Sequence, residues 1–297
     1  MKINKNFIKL IAITLVVFGC KKSNITIEHQ NLIAIDQDYK EALKIASKED
    51  KLIFIDFYTT WCAPCKKLDK WVFQNDSIKN IFKKDFILLK YNAENDTIFH
   101  LSKKHHVSSY PTGLVLNKKG FVLNRKYGFP GEDFQSLSEN VLKFANESIE
   151  LNKASKIIVG YSNTIDVTQY PNFYVDYVNR TNTKVNPSEL HAYFNSKKDI
   201  LSEEYFSPLL YFARDVSDTI ANITLKNQKK YVDLYGKTDV EILMYFLTSG
   251  KFEKAISEKN QVKYDKAVVY AKTALNKKWT DDILPYFEKE FQKALNE

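Results

Sequence analysis

The run Leu52-Ile53-Phe54-Ile55-Asp56-Phe57-Tyr58, followed after Thr59-Thr60 by Trp61-Cys62-Ala63-Pro64-Cys65-Lys66, decides how this chain is read. The first seven residues carry apolar side chains on both faces of a strand, the pattern of a strand at the centre of a parallel sheet. The next six place a Cys-x-x-Cys pair at a strand-to-helix junction. Cys62 then sits at the start of a helix, where unpaired N–H groups and the positive end of the helix dipole favour a thiolate. Thiol pKa values in such motifs fall to about 3.5–7 from about 8.5, which makes Cys62 a candidate nucleophile at neutral pH. Its thiolate attacks a target disulfide to form a mixed disulfide. Cys65, one turn further on the same helical face, attacks that bond in turn and releases the reduced target. Pro64 lacks an N–H, which costs nothing in a first helical turn.

Other uses of two cysteines are weaker. Half of a zinc site needs two more ligands, and the chain has no second cysteine pair. His105-His106 falls at the end of a Lys-rich helix and reads as two solvated histidines. A purely structural disulfide across two intervening residues constrains the unfolded chain little compared with a long loop. Neither a metal nor a cofactor is called for.

At 297 residues the chain exceeds one average domain, so two domains, or one with a large extension, are expected. A hydrophobic content of 44% with 14% aromatics excludes a disordered chain. Three cysteines are too few for a disulfide-stapled scaffold, so the fold stands on its apolar core. The net charge of +8 drops to +5 without Lys2, Lys5 and Lys9. It forms no basic block with interleaved aromatics, so it reads as a solvated surface and nucleic acid is not expected as a partner.

Met1 to Cys20 has a positively charged start, an apolar run from Leu10 to Gly19, then a cysteine. That run is shorter than the roughly 20 residues a membrane span needs and has the proportions of a secretory signal. Val16-Val17-Phe18-Gly19-Cys20 resembles the lipobox of bacterial lipoproteins. The resemblance implies a signal peptide over 1–19, lipidation at Cys20, and a chain anchored in the cell envelope, facing the periplasm or the cell exterior. A signal peptide cut elsewhere, or an uncleaved anchor, is the alternative.

Residues 20–37 read as a tether or a first edge strand. Asp38 to Asp50 has helical spacing, with Asp36 or Asp38 placed to cap it. A helix follows Cys62 to Phe73, broken by Asn75-Asp76-Ser77 before Ile78 to Phe82. Phe86 to Tyr91 is a strand, Thr97 to His106 a helix, and Gly113–Leu116 and Phe121–Arg125 a hairpin. A last helix runs from Glu132 to Ile149. This is an α/β domain ending near residue 150. Beyond it, helix starts recur at Tyr170-Pro171, Asn186-Pro187, Ser207-Pro208, Thr238-Asp239 and Thr280-Asp281-Asp282, so 150–297 is expected to be an all-helical domain. Gly250 to Ile256 resembles the turn into a tetratricopeptide-type repeat, but no partner repeat is found and a generic bundle is favoured.

The segment from Phe54 to Lys66 is similar to the active-site segment of thioredoxins. Val107-Ser108-Ser109-Tyr110-Pro111-Thr112 resembles their cis-proline loop. The continuation from Lys66 to Phe73 is most similar to the C-terminal domain of the bacterial transmembrane disulfide reductase. The resemblance covers about two-fifths of the chain, residues 38–149. It implies a thioredoxin fold, a central mixed sheet flanked by helices. Position by position it makes Cys62 the nucleophile, Cys65 the resolving thiol and Pro111 a cis proline facing them. Trp61, Tyr110 and Thr112 then belong to the docking surface. Asp56 matches the buried carboxylate that handles the Cys65 proton; an Asp inside an apolar strand is itself unusual, since burial raises its pKa towards neutrality. An edge-facing Asp is the alternative. Ala63 stands where glycine is usual, which leaves the redox potential open.

The expected protein is therefore an extracytoplasmic, membrane-anchored thiol–disulfide oxidoreductase that reduces protein disulfides through Cys62 and Cys65. Electrons would reach it from a transmembrane donor. The competing reading is a redox-linked scaffold, or a disulfide isomerase, whose helical domain binds a partner protein.

Overall fold

A five-stranded sheet is built from β1 (Ala34–Asp36), β2 (Leu52–Tyr58), β3 (Phe86–Asn92), β4 (Thr112–Leu116) and β5 (Val122–Tyr127), in the order β1-β3-β2-β4-β5. β3 pairs in parallel with β1 and β2, while β2 with β4 and β4 with β5 are antiparallel. The computed structural model describes residues 31–107, 109–164, 166–182, 184–196 and 199–297. The leader, Cys20 and the tether up to residue 30 lie outside the described residues. Of the tether, Ala34–Asp36 forms the edge strand.

The first helices are α1 (Tyr39–Glu49), α2 (Ala63–Leu68), α3 (Asp76–Asp85), α4 (Leu101–Lys104) and α5 (Phe134–Lys153). Asp38 caps α1 by accepting from the Glu41 amide, and Asn75 caps α3 by accepting from the amides of Ser77 and Ile78. α2 runs on into a π-helical turn over Asp69–Phe73. The remaining helices are α6 (Asn172–Asn179), α7 (Pro187–Ser196), α8 (Glu203–Phe212), α9 (Asp218–Lys226), α10 (Gln228–Tyr235), α11 (Lys237–Ser257), α12 (Gln261–Ala274) and α13 (Lys277–Asn296). None of the described helices is long and apolar enough to cross a membrane.

Alternation along the strands sorts the core into two layers. Phe54, Leu88 and Val115 face α2, α3 and α5, where the Phe54 ring meets Phe73, Phe82 and Phe144 edge-on at centroid distances of 5.4–5.7 Å. Ile53, Ile55 and Phe57, with Ile87, Leu89 and Tyr91, face the other way. That layer holds α1 together with Tyr161, Tyr174, Phe206, Tyr235 and Leu243, so the helical region completes the core of the sheet. Residues 31–297 form one compact unit. A separate cluster joins α11, α12 and α13, with Phe252 stacked on Phe287 and Tyr264 on Phe291.

Several local expectations are corrected. The helix expected over Thr97–His106 shortens to Leu101–Lys104, because Asp96 takes the amides of Leu101 and Ser102 and His100 turns left-handed at φ +53°. His105 and His106 are not solvated but 2% and 1% exposed, since the helical region lies over them. Ser207-Pro208 does not start a helix. Pro208 lies inside α8, whose cap is Ser202, and the Glu204 carbonyl that Pro208 cannot bond accepts from the Tyr193 hydroxyl instead. Thr280-Asp281-Asp282 likewise lies within α13, which Asn276 caps. Gly250 is in mid-helix in α11, where a Cβ would fall 2.3 Å from the Arg214 carbonyl oxygen; its role is close backbone approach, not a turn.

A buried polar cluster joins the sheet to the helical region. Arg125 on β5 lies 3.2 Å from Asp239 on α11. Asp239 also accepts from the hydroxyls of Tyr161 at 2.6 Å and Tyr127 at 3.0 Å. The His106 ring nitrogen Nε2 is 3.0 Å from the Tyr161 hydroxyl. Burial works against the Asp239 charge, but Arg125 and the hydrogen-bond donors outweigh it and hold its pKa at about 2. Burial, with Arg125 nearby, pushes His106 down to about 4, so it is neutral at physiological pH. Close by, Lys104 pairs with Glu203, which also accepts from the Ser162 amide at 2.9 Å.

Replacing Asp239 with Ala strands a buried guanidinium and is expected to lower stability by about 3–5 kcal/mol in urea unfolding at pH 7. The double replacement Arg125→Met with Asp239→Leu is expected to cost much less, because neither charge is left unpaired.

Candidate active site

β2 delivers its C-terminal end to the N-terminus of α2, and Cys62 is the N-cap of that helix. Its sulfur accepts from the Cys65 amide at 3.1 Å. Cys62 and Cys65 are joined as a disulfide with Cα atoms 5.3 Å apart, and both are buried. Ala63 and Pro64 form the exposed first turn, so the proline occupies a position that needs no N–H. Lys66 is exposed.

The Tyr110–Pro111 peptide bond is cis. The Pro111 carbonyl accepts from the Gly128 amide at 2.8 Å, which ties the loop to the end of β5. Thr112 opens β4, pairs with Phe57 of β2, and is fully buried, its hydroxyl donating to the Ser109 carbonyl at 2.8 Å. Its side chain therefore holds the shape of the loop. Trp61 is 57% exposed and meets the Tyr110 ring edge-on at 6.1 Å.

Asp56 is paired in register with Lys90 across β2 and β3, both pointing to the α2 side of the sheet. Asp56 is buried, and burial raises its pKa to about 6, the neighbouring Lys90 pulling the other way. Lys90 Nζ is 3.5 Å from Asp56 Oδ2 and bonds to Asp69 in the π-helical turn. Burial opposes the Lys90 charge, yet the two carboxylates outweigh it and raise its pKa. Lys90 and Asp69 line a cavity of about 420 Å³ together with Cys65. The arrangement places a carboxylate whose pKa lies near neutrality beside a cation on the α2 side of the sheet.

Sequence reasoning missed Lys90, Asp69 and Glu94. Lys90 had a signal, as the one charge within the apolar run Phe86–Tyr91. Glu94 accepts from the Thr60 amide at 2.6 Å and hydroxyl at 2.7 Å, holding the segment before Trp61. Among the described residues no group of three His, Cys, Asp or Glu side chains is arranged to hold a metal ion.

A family model described as thioredoxin-like matches residues 34–118. Thioredoxin-1 of Drosophila melanogaster is 31% identical over 106 residues, covering 36% of this chain and 89% of that protein. The chain belongs to the thioredoxin family. The thiol:disulfide interchange protein DsbD of Salmonella typhimurium is 31% identical over 94 residues, 31% of this chain and 16% of DsbD. The solution structure of a Bacteroides thetaiotaomicron protein, provisionally described as a disulphide isomerase, aligns at 38% identity over 39% of this chain and 96% of that one, with a TM-score of 0.33. The sheet and its flanking helices are thus a thioredoxin fold, extended by an all-helical C-terminal region. With its Cys62–Cys65 pair, the protein is a thioredoxin-like thiol–disulfide oxidoreductase.

The raised pKa of Asp56 has a defined consequence for stability. A folded pKa near 6 against an ordinary 3.8 means a contribution fully present below pH 3.8 and lost as pH rises through 6. The oxidised protein is expected to lose about 3 kcal/mol from this group between pH 4 and pH 7.5. Because His106, held neutral, gains stability over the same range, the loss is read as the difference in unfolding free energy between wild type and Asp56→Asn, which should shrink by about that amount from pH 4 to pH 7.5.

Proposed function

We propose that the protein reduces disulfides in protein substrates outside the cytoplasm, held to the membrane by lipid at Cys20 and supplied with electrons by a transmembrane donor. The observation that carries the redox direction is the buried Asp56 with its pKa near 6, set behind a Cys62–Cys65 pair at a helix N-terminus. In the reduced protein the Cys62 thiolate attacks one sulfur of the client disulfide. A Cys62–client S–S bond forms, the client S–S bond breaks, and the departing thiolate takes a proton. Cys65 passes its proton to Asp56 and attacks the Cys62 sulfur. The intramolecular disulfide closes, the second client thiol leaves, and two electrons have moved to the client.

The anchor rests on the charged and apolar leader that ends at Cys20. Several acyl chains, at about 0.8 kcal/mol per buried CH₂, would retain the protein at a membrane. The similarity to DsbD supports an exchange partner of the disulfide-interchange type. In this reading Cys62, Cys65, Asp56 and Pro111 carry the exchange, and Trp61, Tyr110 and Thr112 shape the client groove.

Cys65→Ser is expected to trap mixed disulfides with several envelope proteins, and the wild type to reduce insulin. A protein that does neither, and captures one partner independently of Cys62, is a scaffold. The Cys62–Cys65 potential is expected near the thioredoxin figure of about −270 mV; a value near −120 mV overturns the reductive direction. Cys20→Ser is expected to leave the membrane fraction, and a variant that stays tightly bound removes the anchor.

A further inference from the structure

The helical region reaches the redox face at the end of α6, where Val178, Asn179 and Arg180 line a cavity with Trp61 and Tyr110. α6 ends on Arg180, a left-handed cap at φ +59° whose amide bonds back to the Asp176 and Tyr177 carbonyls. A residue with a Cβ adopts that conformation only when its surroundings demand it. The turn sets the Arg180 guanidinium 5.1 Å from the centre of the Trp61 ring and 5.8 Å from that of Tyr110. Trp61 precedes the nucleophile and Tyr110 precedes the cis proline, so one cation lies against two mutually perpendicular rings next to the redox motif. The three residues line a cavity of about 540 Å³ with Glu94, His100 and Lys103.

The charges around this cavity are committed elsewhere, with one exception. Asp96 accepts from the Tyr91 hydroxyl and from the amides of Leu101 and Ser102. Lys103 is buried, donates to the Asp96 carbonyl and lies against the His100 ring. Glu94 is bound by Thr60. Among the described residues no carboxylate lies within 4 Å of the Arg180 guanidinium, though after the Thr60 hydrogen bonds its charge also helps to lower the pKa of Glu94 across the same cavity. A guanidinium carries five N–H donors in a planar fork. Here two perpendicular aromatic rings hold the cation in place, and N–H donors not directed at them can take a carboxylate.

We propose that Arg180 forms a subsite for an acidic side chain of the client, so that the enzyme prefers protein disulfides with an Asp or Glu beside the attacked cysteine. The proposal rests on the disulfide-reducing reading above and gives part of the helical region a role in client choice. Arg180 contacts the client and takes no part in bond making.

The test uses the reduced full chain and two synthetic peptides. Each peptide carries one disulfide, and they differ only in having Asp or Lys flanking the cysteines. Single-turnover rate constants for disulfide reduction are measured at low and high salt. The wild type is expected to reduce the Asp peptide about five-fold faster at low salt, the scale of one partly exposed ion pair. The ratio should shrink at high salt. Arg180→Glu should reverse the preference, and Arg180→Lys, which keeps the charge without the fork, should retain its sign at a smaller ratio. Equal wild-type rates for the two peptides overturn the subsite and leave the reductase reading intact. A preference that Arg180→Glu does not change also overturns it. Reduction of neither peptide removes both readings. The wild-type comparison stands without any variant.

Discussion

The Arg125–Asp239 pair, buried between β5 and α11, is the constraint on which the rest of the arrangement depends. Two charges taken out of water tolerate one relative placement, because any slip leaves both uncompensated. Tyr127, Tyr161 and His106 complete the cluster from the sheet, from the segment after α5 and from the segment after α4. The helical region is therefore seated on the sheet in a defined way. A buried pair of this kind is weak evidence of net stabilisation compared with apolar packing, and its value here is placement.

That placement has a consequence for the redox face. With α4 reduced to one turn, the Ile53–Ile55–Phe57 side of the sheet needs other cover, and Tyr161, Tyr174 and Phe206 supply it. α6 comes with them, and its last turn carries Arg180 to Trp61 and Tyr110. On the opposite side of the sheet Asp56, Lys90 and Asp69 are grouped behind α2. The Arg180 contact and this charged group thus lie on different sides of one strand–helix junction.

The junction itself was legible because its determinants are local. An apolar run, a Cys-x-x-Cys and a proline tolerated in the first turn are neighbours in the chain, and the helix that follows imposes their geometry. Asp56 was legible for a related reason, as a charge inside an apolar strand. The hairpin of β4 and β5 and the caps at Asp38 and Asn75 also follow from short-range chemistry. Helix starts in the second half were read less well. Ser207-Pro208 and Thr280-Asp281-Asp282 have the composition of caps, yet Ser202 and Asn276 do the capping; in α8 the Tyr193 hydroxyl satisfies the carbonyl that Pro208 leaves open.

By itself the sequence determined the order of strands and helices around Cys62 and Cys65, the chemistry of that pair, and the helical nature of residues beyond α5. Periodicity and capping act over a few residues, so they survive the loss of all tertiary information. Only the tertiary structure decided that His105 and His106 are buried, that Gly250 admits the Arg214 backbone, that Lys90 and Asp69 stand beside Asp56, and that Arg180 faces the redox site. Each of these depends on a partner on another element of the fold, and such contacts arise from packing, which no local pattern encodes.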